Sequence, residues 1–241
     1  MPFTAFISDL HLTSERPEVN EIFFDFLRGP ARAADALYIL GDLFEYWAGD
    51  DDLADPLNAS VAGGLLELSR SGVPVMLMHG NRDLLMLHGF ERAAGVKLIA
   101  DPTVVDLYGT ATLLMHGDTL CRDDHQYQRI RARIRSPWWQ RLFLLQPLWL
   151  RRAEIERARR MSEHSKQTKP LPIMDVTEAA VAEAFETGGC SRLIHGHTHR
   201  PARHLHVVLG RTCERWVLSD WYRRGQWLRV GPDGCEAITL P

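Results

Sequence analysis

Cysteine is scarce in this sequence. Its four residues, Cys121, Cys190, Cys213 and Cys235, form no C-x-x-C pair in 241 residues, which argues against a disulfide framework and fits a reduced intracellular protein. Long hydrophobic runs are also missing. The longest apolar stretch, Leu142 to Leu150, is broken by Gln146 and Pro147 and flanked by Arg141 and Arg151, so it is too short to span a bilayer. The first residues, MPFTAFISDLHL, lack a basic segment and an apolar signal core, and the expectation is a chain that stays in the cytoplasm. No internal repeat or low-complexity tract appears. A strong net charge is absent too, at −3 overall, but the balance is uneven. Residues 122–169 hold 13 of the 28 Lys and Arg against 5 of the 31 acids, giving +8 there and −11 in the remainder.

What is present is enough apolar material, 45% of the chain, for one sizeable core and a single domain over 1–241. Five times a short apolar run leads into a polar cluster: TAFISDLHL, ALYILGDLFEYW, PVMLMHGNRD, ATLLMHGDTL and SRLIHGHTHRP. Runs of four to six such residues read as buried strands, and the glycine in four of the clusters permits a sharp turn. Between the first three lie helix-like segments, NEIFFDFLRGPARAAD and ASVAGGLLELSRSG, with apolar positions every three to four residues. After His195 the pattern shifts to strands in HLHVVLG, RWVLSDW and QWLRVGP. This alternation predicts a layered core of mixed sheets rather than a purely parallel doubly wound fold.

The polar clusters carry the chemistry. Asp9 and His11, two residues apart on an extended segment, point the same way and could chelate one ion. Carboxylate, imidazole and amide donors without thiolates suit Mn²⁺ and its neighbours better than a structural zinc site, leaving Mn, Fe, Co and Zn open. Singly, each cluster has a plainer reading: Asp9 as a turn cap, Asn81 in an Asx-turn, His116 as a hydrogen-bonded core residue. Five in succession at strand ends, which converge on one rim, favour a shared site.

The ordered string SDLH, GDLFE, GNRD, HGD, HGHTHRP resembles the signature of calcineurin-like metallophosphoesterases, D-x-H, G-D-x-x-[DE], G-N-H-[DE], G-H, G-H-x-H, over positions 9 to 201. The resemblance implies an α+β class, a four-layer α/β/β/α fold with two mixed sheets flanked by helices. It also implies two metal ions per chain. Asp9, His11, Asp42 and His197 would hold one, and Asp42, Asn81, His116 and His195 the other, with Asp42 bridging. Two cations about 3.5–4 Å apart can clamp phosphoryl oxygens and activate water, so catalysis would rest on Asp42, Asn81, Arg82 and His116 without a separate base.

Arg82 departs from the family's G-N-H. An arginine stays protonated and cannot act as an acid, but its fork can hold a phosphate, so the leaving group is expected to be a phosphate already, as in a pyrophosphate. The rival is a simple ion pair of Arg82 with Asp83 or another carboxylate. GNRD, GDLFEYW, MSEHSK and IMDV together are similar to one branch of the family, hydrolases of a UDP-linked diacylated sugar in lipid A biosynthesis. That likeness implies two Mn²⁺ ions, attack on the α-phosphorus, and a peripheral enzyme on the cytoplasmic face of the inner membrane. By the same likeness Asn81, Arg82, Asp124, Ser162, Lys166, Lys169 and His195 would meet the sugar or phosphates, with Tyr127 and Arg159 as further contacts. No obligate protein partner is implied.

His116 and His195 are 79 residues apart, against 33, 39 and 35 for the earlier ligand intervals, so 122–169 reads as an insertion. Helices interrupted at Pro137 and Pro147 place Trp138, Trp139, Leu142, Phe143, Leu145 and Trp149 among arginines, as in a membrane-surface element. The alternatives are a hairpin burying its aromatic face on the core, or a nucleic-acid surface. The resemblance favours a helical lipid-binding cap and no nucleic acid. His125, His164, His199, His204 and His206 are expected at the surface or behind the ligands. Rival functions are another phosphoesterase of this superfamily, acting on nucleotides or phosphoproteins, and a metal-free scaffold.

Overall fold

A computed structural model describes residues 1–168, 175–222 and 224–240, with side chains in those ranges except over 162–168. The apolar runs form the expected strands. β1 (Thr4–Ile7), β2 (Ala36–Ile39), β3 (Val75–Met78) and β4 (Lys97–Ile99) lie parallel in that order, and β10 (Gln226–Gly231) and β11 (Gly234–Thr239) extend the β1 edge antiparallel. The second sheet runs β5 (Thr103–Leu107), β6 (Thr110–Met115), β7 (Arg192–His195), β9 (Arg211–Val217), β8 (Ala202–Val208). Its central β6, β7 and β9 are parallel and its edges antiparallel. Both sheets are therefore mixed.

The period of two decides which layer each side chain enters. From β1 and β2, Ala5, Ile7, Leu37 and Ile39 join the core under the first group of helices, whereas Phe6 turns to the space between the sheets. From β6 and β7, Leu114 and Ile194 meet Phe6, Met78 and Leu228 in that central layer, while Leu113, Met115 and Leu193 face the opposite helix. A strand covered on both faces must be apolar on both, which is why these runs show no alternation. The result is the four-layer α/β/β/α architecture.

α1 (Pro17–Arg28), α2 (Pro56–Arg70) and α3 (His88–Ala94) cover the first sheet, and α7 (Glu178–Gly188) the second. α1 begins with Pro17 in its first turn and buries Val19, Phe23, Phe26 and Leu27, one helical face. It stops before Gly29-Pro30, so the apolar stretch expected as one helix through Asp35 ends in a short 3₁₀ turn, Pro30–Ala33. Asp55 caps α2 by accepting from the Leu57 N–H, and Thr177 caps α7 by accepting from Ala180 N–H.

The segment expected as an insertion forms α4 (His125–Ile134), α5 (Pro137–Leu144) and α6 (Leu148–Thr168). Both prolines act as expected: Pro137 opens α5 and Pro147 precedes α6. Phe143 is buried in the main core, with Trp139, Leu144 and Ile155 packed beside it. Trp138, Leu145 and Trp149 face outward, at 71%, 81% and 70% exposure. The aromatic face is thus divided rather than wholly buried or wholly exposed. Among the described residues no helix is long and apolar enough to cross a membrane.

Candidate metal centre

The strand ends converge as the polar clusters demand. Asp9 and His11 follow β1, Asp42 follows β2, Asn81 follows β3, and His116 follows β6. Their backbones are unusual. Asp9, His11, Asp42, His197 and His199 all have positive φ, between 50° and 69°, a region that costs a side-chain-bearing residue free energy and is retained where a site requires it. Two glycines make the approach possible. A Cβ on Gly80 would collide with the Asp42 carboxylate, and one on Gly196 with Ser8 and the Asp9 carboxylate.

Hydrogen bonds aim the donors. Asp9 Oδ2 accepts from Ser8 Oγ and from the His197 N–H at 2.9 Å, and Asp42 Oδ1 accepts from the Arg82 N–H at 2.8 Å. Asp83 joins the two neighbouring loops, accepting from Gly80 N–H at 2.7 Å and Leu43 N–H at 2.9 Å. His116 donates from Nδ1 to the Leu40 carbonyl at 2.9 Å, which turns Nε2 to within 3.1 Å of Asn81 Oδ1 and 3.8 Å of Asp42 Oδ2. His197 Nδ1 reaches the same Asn81 oxygen at 3.1 Å. His11 Nε2 lies 3.8 Å from Asp42 Oδ2 and 3.4 Å from His199 Nε2, and His199 Nε2 lies 3.4 Å from Asp9 Oδ1. Among the described residues, two triads bring their donor atoms within 4.8 Å of one another: Asp9, His11, His199 and Asp9, Asp42, His116.

His195 and His199 exchange the places expected of them. His195 ends β7 and is fully buried, but its Nε2 lies 3.1 Å from Arg215 Nη1 and its Nδ1 2.8 Å from the Gly196 carbonyl. A guanidinium only donates and a carbonyl only accepts, so both ring nitrogens are engaged away from the cluster. His199, expected outside it, is a member. The G-H-x-H pattern fits Gly196-His197-x-His199, and that spacing is the signal which pairing His195 with His197 passes over.

The electrostatics of the cluster set buried carboxylates against imidazoles. Burial raises the Asp42 carboxyl to about 6; His116 opposes this, and the charges of Asp83 and Asp9 add to it. Burial favours a neutral His116, yet Asp42, Asp118 and Asp9 raise it to about 9. Burial, with the charge of His116 next, lowers His197 to about 3, leaving a neutral imidazole of the kind a metal needs. Buried carboxylates, imidazoles and an amide oxygen, with no thiolate among them, fit oxygen- and nitrogen-loving divalent ions.

The remaining sequence expectations fall around this floor. Arg82 does not pair with Asp83; its Nη1 lies 3.9 Å from Glu45 Oε1. Tyr127 packs near His197, ring centroids 5.7 Å apart, and donates its hydroxyl hydrogen to Asp118 Oδ2 at 2.9 Å. Asp124 caps α4, accepting from the Tyr127 N–H at 3.0 Å. Lys169 lies outside the described residues, as do the side chains of Ser162 and Lys166. Sequence reasoning missed Asp118 and Glu45. Asp118, buried just after His116, accepts from Arg131 Nε at 2.7 Å, and Glu45 lies 3.0 Å from Arg159 Nη2 of α6. Arg151 and Arg152 likewise meet Asp51 and Asp52, so much of the insertion's positive charge is answered within the protein.

Comparison with known proteins agrees with this geometry. The family model for calcineurin-like phosphoesterase matches residues 4–201. A UDP-2,3-diacylglucosamine hydrolase of Aromatoleum aromaticum is 51% identical over 224 residues, covering 93% of this chain and 91% of that protein. The Escherichia coli protein of the same name is 47% identical over 238 residues, 99% of each chain. That of Cellvibrio japonicus is 49% identical over 231 residues, 96% of each.

Proposed function

This chain belongs to the calcineurin-like phosphoesterases, and on that premise we propose that it hydrolyses the pyrophosphate bond of UDP-2,3-diacylglucosamine. Water adds to the α-phosphorus, the bond to the bridging oxygen breaks, and UMP and 2,3-diacylglucosamine 1-phosphate are released. The near full-length identity to hydrolases of that name supports the substrate. The observation that carries the reading is the convergence of buried Asp9, His11, Asp42 and His116 with half-buried His199 beside Arg82.

We read Asp9, His11, Asp42, Asn81, His116, His197 and His199 as the residues that would hold two divalent ions, with Mn²⁺ the choice favoured by their donor chemistry. Ions bound there would supply Lewis acidity to the phosphoryl oxygens and acidify water. The chain's own groups do the rest. Asp42 lies between the two sides of the cluster, within 3.8 Å of both His11 and His116, and Asn81 Oδ1 lies 3.1 Å from both His116 and His197. Arg82 cannot deliver a proton, but it can neutralise charge on a phosphate leaving group that needs none. Arg159 of α6 meets the same carboxylate as Arg82, which supports reading it as sharing that task.

The insertion over 122–169 is read as the lipid-binding cap. Trp138 and Leu142 of α5, Leu145 just after it and Trp149 of α6 are exposed apolar residues, and Arg141, beside Leu142 in sequence, is exposed with them. Such a face suits acyl chains and the cytoplasmic leaflet of the inner membrane, where the enzyme would sit peripherally.

The test is product analysis with purified, Mn²⁺-loaded protein and UDP-2,3-diacylglucosamine in ¹⁸O-water. The expected products are UMP carrying the label and unlabelled 2,3-diacylglucosamine 1-phosphate. Label in the sugar phosphate would refute α-attack. Rapid hydrolysis of a simple aryl phosphate with the lipid nucleotide untouched would favour a general phosphoesterase instead.

A further inference from the structure

Glu45 is buried, and three guanidinium groups from three distant segments surround it. Arg16, from the loop before α1, places Nη2 3.1 Å from Oε2. Arg82, from the loop after β3, and Arg159, from α6, place nitrogens 3.9 Å and 3.0 Å from Oε1. Glu156 also accepts from Arg159 Nη1 at 2.8 Å, but two carboxylates cannot saturate three guanidinium groups. Arg16 Nη1, Arg82 Nε and Arg159 Nε are all buried and without a hydrogen-bond partner among the described residues, a costly condition for charged donors. The cluster therefore carries excess positive charge and unused donors beside the Asp42 loop, and one of its three cations belongs to the insertion.

We infer that Glu45 is a positioning residue, which gathers Arg16, Arg82 and Arg159 into one anion cradle that is complete only when α6 is seated on the core. The inference rests on the reading of Arg82 and Arg159 as phosphate contacts, and it adds what assembles them. Without the carboxylate, three like charges in a partly buried space repel one another and swing toward solvent. Arg159 then loses its ionic link to the core, keeping only the face of the Tyr46 ring 5.7 Å away, and the substrate's phosphates meet fewer preset donors.

A double-mutant cycle tests this. Glu45→Gln, Arg159→Gln and the pair together are assayed as Mn²⁺-loaded protein on UDP-2,3-diacylglucosamine, with Mn²⁺ affinity measured by calorimetry and hydrogen exchange followed along 148–161. Each single change is expected to raise KM about tenfold with kcat altered less than about threefold, and the double variant to be no worse than Arg159→Gln alone. Glu45→Gln should also speed exchange in α6 without weakening Mn²⁺ binding. KM effects that multiply in the double variant would overturn the inference. So would weakened Mn²⁺ binding at unchanged KM, because Glu45 would then serve His11, whose Nδ1 lies 3.8 Å away. If Arg82→Gln and Arg159→Gln both leave KM unchanged, the phosphate-contact reading itself fails and the inference falls with it. Should Glu45→Gln not fold, Glu45→Asp keeps the charge but withdraws it by one methylene, and an intermediate KM is expected; wild-type KM would contradict the role.

Discussion

The floor of the site and the helices α4–α6 are held in place by different physics. On the floor, donors sit on short loops at strand ends, fixed by left-handed backbone at five residues and by glycines that admit neighbouring carboxylates. In α4–α6, among the described side chains, only Phe143 and Arg151 are buried. Ion pairs do much of the work there instead: Arg131 to Asp118, Arg151 to Asp51, Arg152 to Asp52, and Arg159 to Glu45. A region with few buried contacts and many charged ones opens more readily than a packed strand end. The floor is therefore the more rigid of the two regions, and α4–α6 the more readily opened.

The largest effect that can break this contrast lies on the floor. Asp42→Asn should lower kcat on the order of 10³-fold and weaken metal binding, because the residue faces both sides of the cluster. A variant with near wild-type turnover would show that the cluster is not the active centre. Next comes the pair His199→Ala and His195→Ala. The first should cost about 10²-fold or more in activity. The second, acting only through the loop it anchors, should stay within about 10-fold at saturating metal. Equal losses, measured side by side, would restore His195 to the ligand set.

A change in the insertion should be milder and of another kind. Arg151→Met removes a buried donor to the Ala48 and Gln146 carbonyls and to Asp51. Denaturant titration should show a loss of about 1–3 kcal/mol, with faster amide exchange in α6. Unchanged exchange there would mean that the ion pairs do not hold the helix. The smallest structural effect is predicted for Trp138→Ser with Trp149→Ser, under about 0.5 kcal/mol in stability. The same pair should nonetheless release the protein from anionic vesicles in a flotation assay, and retained binding would remove the membrane role of this face.

The same contrast explains what could be read from the chain alone. The strands were legible because apolar runs such as TAFI and TATLLM are closed by polar clusters, and most of the clustered donor residues because a metal-ligating residue type sits at each strand end. The histidine-rich end of β7 was not, since HGHTH offers two placements of a paired-histidine motif. What separates the two placements is Arg215, twenty residues on in a neighbouring strand, whose Nη1 lies 3.1 Å from His195 Nε2. Glu45 was hidden for a similar reason. It lies inside a recognisable motif, but its arginine partners are 29, 37 and 114 positions away. The boundaries of α5 and α6 could be read from two prolines, whereas which aromatic faces inward depends on a surface no local pattern reports.

The account is tested most directly by counting Mn²⁺ bound per chain, by mass spectrometry of equilibrated protein, in the wild type and in the His195→Ala and His199→Ala variants. Two ions are predicted for the wild type, two for His195→Ala, and fewer than two for His199→Ala. One ion or none in the wild type, or loss of an ion on removing His195 but not His199, would contradict it.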